Sequence, residues 1–166
     1  MALNDEIMDL QIRHQVGVQR LGSGALQKLI PILNTADEEI VTQLVKRGAD
    51  GTFTTRRLEA LLQSIREINR DAHVELGREL RAELREVAAY EARYQADLFS
   101  RALPIRADIV TPAASTLNAV VTSRPFQGKL LRDALSELES SRARMVRDAI
   151  RLGVLEGQTI PQMVQR

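Results

Sequence analysis

Two histidines are the first residues to test for chemistry, because an imidazole can relay protons near neutral pH or ligate a transition metal. His14 and His73 each stand alone, with no second histidine or carboxylate at metal-ligand spacing. A zinc site needs three or four converging donors, so both are read as stripe or boundary residues of helices. There is no cysteine, which excludes thiolate catalysis, zinc-thiolate sites and iron–sulfur clusters, and gives no sign of a disulfide scaffold. Gly22-Ser23-Gly24 lacks the Lys-Ser/Thr that follows a phosphate loop and the strand that precedes one. Carboxylates are plentiful, but no predicted cleft sets a raised-pKa acid beside an ionised base. Tyr90 and Tyr94, four residues apart, could stack on nucleobases; without a basic groove they are read as packing residues. The sequence thus predicts no catalytic residue, no cofactor and no metal, and a protein that is not an enzyme.

Charge and hydropathy narrow the classes further. Of 166 residues, 23 are Lys or Arg and 22 are Asp or Glu, for a net charge of +1. Such a balance exerts little pull on nucleic acid or anionic lipid, so direct nucleic-acid binding is expected to be weak or absent. No apolar run approaches the roughly 20 residues of a membrane span. The start Met1-Ala2-Leu3-Asn4-Asp5-Glu6 lacks the basic and apolar regions of a signal peptide. The expectation is a soluble, unexported protein of a reducing compartment.

The elements that would position any site are helices. Aromatic residues make up 3% of the chain, while Ala, Leu, Glu, Arg and Gln dominate, a bias toward helix formers. Asn4 is a candidate N-cap, followed by Ile7, Leu10, His14, Val18, Leu21 and Ala25 on one helical face. Gly22-Ser23-Gly24 is expected to kink or break this helix, and Pro31 to bend it or begin its exit. Thr35-Ala36-Asp37-Glu38 reads as a capping box for a short helix from Asp37 to Arg47, stopped by Gly48 and followed by a turn at Asp50-Gly51. Thr54 then caps a long helix, with Phe53 and Leu58 as a hydrophobic staple. From Leu58 through Leu98 the apolar positions step at close to 3.6 residues, with no proline until Pro104. A helix over about 55–103 would be about 70 Å long and must be covered by other helices or another chain. After the extended stretch at Pro104-Ile105, Thr111-Pro112 opens a short helix through Val121 and Arg124-Pro125 ends it. A further helix carries Leu130 to Leu152 and ends near Gly153 or Gly157. Thr159 caps a last one, expected to run past Arg166.

The predicted fold is all-α and elongated, organised around that very long helix with shorter helices packed on it. Three segments result: an N-terminal one over 1–50, the central helix over 51–103, and a C-terminal one over 104–166, together one structural unit. The polar face of the central helix is banded. Glu67, Asp71, Glu75, Glu79 and Glu83 fall every four residues, beside a ridge of Arg66, Arg70, Arg78, Arg81 and Arg85. One reading is a solvated, salt-bridged face; the other is a face that sets register against a partner helix, with self-association possible. These five carboxylates are candidate protein–protein contacts, as are Leu76, Leu80, Leu84 and Leu98 on the apolar stripe.

Two stretches carry a resemblance. They are Leu84-Arg85-Glu86-Val87-Ala88-Ala89-Tyr90-Glu91-Ala92-Arg93-Tyr94-Gln95 and the region from Pro125-Phe126-Gln127-Gly128 through Arg147-Asp148-Ala149-Ile150-Arg151-Leu152-Gly153 to Glu156-Gly157-Gln158-Thr159-Ile160. In these the chain resembles the helical N-terminal part of tailed-phage head morphogenesis proteins, the Mu-F-like minor head proteins. The likeness spans roughly the last two-thirds of the chain. Ala134 departs from it, standing where members of that family tend to carry Trp. The resemblance implies a minor capsid protein near the portal vertex, in few copies. It also implies partners among the portal and other virion proteins, roles in head morphogenesis and DNA packaging, retention or ejection, and residence in the virion after assembly in the host cytoplasm. A head-to-tail adaptor ring and a non-phage cytosolic helical scaffold are the alternatives.

Overall fold

A computed structural model describes residues 3–48, 54–103 and 109–165. The expected turn at Asp50-Gly51, the Phe53 half of the staple and the extended stretch at Pro104-Ile105 lie outside the described residues, as does the side chain of Asn4. The fold is all-α. Its helices are α1 (Leu3–Gly48), α2 (Thr55–Ala102), α3 (Ala114–Ser123), α4 (Leu131–Leu155) and α5 (Ile160–Val164).

The long helix forms as its spacing predicts, 48 residues from Thr55 to Ala102. Thr54 caps it: its carbonyl accepts the Leu58 N–H at 2.9 Å and its hydroxyl oxygen faces the Arg57 N–H at 3.4 Å.

The N-terminal expectation is corrected. In place of two helices there is one, α1, unbroken for 46 residues with Pro31 inside it. Each glycine costs about 1 kcal/mol relative to Ala in a helix interior, but neither Gly22 nor Gly24 is required to bend the chain. A Cβ at either would meet nothing within 4 Å, while Leu21, Ala25 and Leu29 keep the half-buried stripe going through them. Pro31 is exposed; it forfeits one backbone hydrogen bond while Ile32, Leu33 and Ala36 hold the next turn by packing. Thr35-Ala36-Asp37-Glu38 opens no helix, because Ala36 is itself a buried residue in mid-helix, 3% exposed.

Two later boundaries also depend on local chemistry. α3 starts at Ala114, beyond the expected Thr111-Pro112 cap, because Ala113 is still extended (φ −62°, ψ 152°). Gln127 and Gly128, at φ 50° and 80°, make the tight turn of a two-residue hairpin between Phe126 and Lys129, which exchange backbone bonds of 2.9 and 3.1 Å. α4 ends in a Schellman motif: Gly157 sits at φ 66°, its N–H bonds the Val154 carbonyl at 3.2 Å, and Gln158 N–H bonds the Gly153 carbonyl at 2.9 Å. Thr159 caps α5 as expected, its N–H donating to the Gln162 side-chain oxygen at 2.8 Å.

By packing, the chain divides into two units. The first comprises Met1–Leu29 and Arg78–Leu131; the second comprises Ile30–Gly77 and Arg132–Arg166. The second holds the apolar core: Ile40 and Leu44 of α1, Leu61, Leu62 and Ile65 of α2 and Ile150 of α4, with Leu58, Ile68, Val146, Val154 and Ile160 packed around them. Ala72, Leu76 and Leu135 are buried there too. Gly153 lets α5 close on α4, since a Cβ would sit 2.7 Å from Met163 Cγ.

Candidate functional site

In the first unit α1 meets α2 through polar and aromatic groups. His14 lies flat on Tyr94, ring centroids 3.7 Å apart at 8°, and is parallel to Tyr90 at 5.5 Å. Its Nε2 is 3.0 Å from Glu91 Oε1, while Nδ1 is buried with no partner among the described residues. Tyr90 can approach because residue 17 is glycine: a Cβ there would fall 2.0 Å from the phenol oxygen. About two turns back along α2 from Tyr90, the Glu83 carboxylate accepts from the Lys28 ammonium. Glu83 is buried at 6% exposure, and this bond, with Glu86 and Glu79 adding to it, holds Lys28 above the ordinary lysine range although burial acts the other way. Arg85 of α2 donates to Asn118 of α3 at 2.8 Å.

That unit buries little else. Among the described residues, every buried hydrophobic side chain belongs to the second unit. Met8, Ile12 and Val16 instead form an exposed stripe along α1 at four-residue spacing, 63%, 57% and 41% accessible, and Leu26, Phe99, Val110 and Phe126 are exposed as well. The second unit exposes large apolar side chains too, among them Val45, Val74 and Leu155, so what sets the first unit apart is that, among the described residues, it has no buried apolar side chain to match them.

The second unit is locked by a polar staple across three helices. Asn69, 1% exposed, donates to the Glu139 carbonyl at 3.2 Å and accepts from Arg142 at 2.9 Å. Arg142 also donates to Asp37 at 2.6 Å. The Nδ1–H of His73 closes onto the Asn69 carbonyl at 2.8 Å. Neither Asn69 nor Arg142 is signalled in sequence; they lie 73 positions apart.

The predicted contact residues separate between the units. In the second, Glu67, Asp71 and Glu75 are exposed, and Leu76 is buried. Glu67 accepts from Gln63 at 3.0 Å and Asp71 from Arg70 at 3.3 Å. In the first, Glu79, Leu80, Leu84 and Leu98 are half-buried and Glu83 is committed to Lys28. Asp71 and Glu75 line an open groove of about 310 Å³ with Glu39 and Thr35, floored by Ile32, Ile68 and Ala72. A second groove, about 410 Å³, runs between α2 and α4 with Arg66, Arg70, Arg144 and Arg147 interleaved with Glu67 and Glu139. Both are open grooves lined by charged side chains.

Among the described residues no group of three or more His, Asp or Glu is placed to hold a metal ion, and no helix is long and apolar enough to cross a membrane. Compared with known proteins, the chain matches no family model, no curated relative and no solved structure.

Proposed function

We propose that this chain is a structural and assembly protein of a bacteriophage head: a minor capsid protein bound near the portal vertex that serves head morphogenesis and DNA packaging, retention or ejection. The observation that carries the proposal is the underfilled first unit. Its helices leave Met8, Ile12, Val16 and Phe99 to solvent, as suits a subunit completed by a larger assembly. The resemblance to minor head proteins supplies the identity of that assembly, and one of its two stretches, Leu84 to Gln95, lies in this unit. The role is one of binding, with no catalytic step, and its partners are the portal and other virion proteins, in the virion and, during assembly, in the host cytoplasm.

The test is size-exclusion chromatography with light scattering on the chain mixed with portal rings. Co-elution in fewer copies than the ring has subunits is expected, and the triple variant Met8→Gln, Ile12→Gln, Val16→Gln should abolish it. A stoichiometry equal to the ring would indicate an adaptor instead, and a self-oligomer that ignores the portal would indicate an independent helical scaffold.

A further inference from the structure

The charges of the whole chain nearly cancel, 23 basic against 22 acidic, and several cations are offset on the spot. Arg70, Arg132 and Arg147 each bond the aspartate next to them, and Arg142 bonds Asp37. One place in the second unit departs from this. The last turn of α1 and the first turn of α2 bring Lys46, Arg47, Arg56 and Arg57 around one open groove of about 500 Å³, whose only other described lining residue is Ala60.

Lys46 and Arg56 are exposed and Arg47 is half-buried. Arg47 donates to the Ser64 hydroxyl at 2.8 Å, a neutral partner that orients the guanidinium and leaves its charge in place. Among the described residues no carboxylate pairs with Lys46, Arg47 or Arg56. Arg57 has a partner within the chain and is not counted toward the site. Asp50, the one acidic residue between positions 46 and 57, lies outside the described residues. The two pairs of cations stand on different terms with their helices. Lys46 and Arg47 sit in the last turn of α1, where the helix dipole favours them. Arg56 stands in the first turn of α2, where the dipole opposes it and no acidic residue offsets it. A local rule broken in this way, beside two further cations, is relieved when an anion enters the groove.

The lining selects among anions. A protein partner is held by an apolar centre with charge at the rim, and the described lining here has no apolar side chain larger than Ala60. Sequence-independent binding of nucleic acid needs only cations set along a run of phosphates, and a guanidinium takes phosphate oxygens in its planar fork. We propose that this groove is a phosphodiester-binding site, in which Lys46, Arg47 and Arg56 neutralise neighbouring phosphates of a nucleic-acid strand without reading its bases. The inference is carried by the second unit alone and does not depend on the portal reading.

The test is the fluorescence anisotropy of a labelled random-sequence duplex of about 20 base pairs, titrated with the full chain at several salt concentrations. Three neutralised phosphates predict that affinity falls about 40-fold between about 50 and 200 mM salt. Lys46→Gln or Arg56→Gln removes one contact, so binding weakens and the fall shrinks to about 12-fold. Both side chains are exposed, and circular dichroism checks that the variants keep their helices. The double variant Arg66→Gln, Arg144→Gln, in the groove where Glu67 and Glu139 lie among the arginines, should leave the salt dependence unchanged. No binding at the lowest salt overturns the proposal, as does binding that Lys46→Gln and Arg56→Gln leave intact or that the Arg66, Arg144 variant weakens equally. Displacement of the duplex by inorganic phosphate at constant ionic strength overturns it in favour of a site for the free ion, and binding of polyglutamate as tight as that of the duplex overturns it in favour of an acidic protein segment.

Discussion

The two units use the same helices α1 and α2 to different ends. Where α1 carries Ile40 and Leu44 and α2 carries Leu61, Leu62 and Ile65, the pair is joined by α4 and closes an apolar core. Where α1 carries His14, Gly17 and Lys28 and α2 carries Tyr90, Tyr94 and Glu83, ring stacking and a bond from Lys28 to the buried Glu83 carboxylate join the pair, and apolar side chains such as Leu21, Leu29, Leu80 and Leu84 are only half-buried. Burial supplies most of the free energy of a fold, and polar contacts supply geometry. The second unit, which holds the buried apolar side chains, is therefore expected to carry most of the stability of the chain.

The largest test of that contrast is Leu61→Ala. Leu61 is fully buried, so the change should cost about 2–5 kcal/mol by the lost transfer energy and the cavity left behind, read as a lower denaturation midpoint. Asn69→Ala should follow at about 1–3 kcal/mol, because the half-buried Arg142 and the Glu139 carbonyl each lose a hydrogen-bond partner. Gly17→Ala presses a methyl against Tyr90 and should cost about 1 kcal/mol. Its sharper signature is local: the near-ultraviolet signal of the tyrosines should change while the second unit keeps its cooperative transition.

The smallest effect sits on Lys28. Its folded-state pKa lies above the ordinary 10.5 because of the bond to Glu83. A raised pKa means the folded state holds the proton more tightly than the unfolded one, so the stabilisation is complete below 10.5 and fades as pH climbs through the folded value. The stability difference between wild type and Lys28→Met should then be constant around neutral pH and shrink in alkali. A difference that does not change with pH would remove the charge of Lys28 from the account.

Periodic features were legible in the sequence and long-range ones were not. The 3.6-residue stripe and the Thr54 cap delimit α2 to within a residue or so of its bounds, Thr159 marks the start of α5, and of the two glycines offered for the end of α4, Gly153 lies inside the helix and Gly157 just beyond it. These signals are local and hold whatever packs nearby. Gly22, Gly24 and Pro31 misled for the converse reason: their helix-breaking cost is local, but packing of the turns on either side decides the outcome. The staple of Asp37, Asn69 and Arg142 joins residues 32 to 105 positions apart, and His14 reaches Tyr90 across 76; no spacing rule connects such pairs. The band of carboxylates on α2 was visible as a pattern, yet only the structure shows that Glu83, alone among its five, is buried.

Residue-resolved hydrogen exchange on the free chain tests the central contrast most directly. The amides of α1 around Ile40 and of α2 around Leu61 to Leu76 should exchange only through global unfolding. Those around Met8 to Leu21 and Val87 to Leu98 should open locally and exchange at least about tenfold faster, slowing when portal rings are added. Equal protection along the full length of α1 and α2 in the free chain would contradict the account, because the first unit would then be complete without a partner.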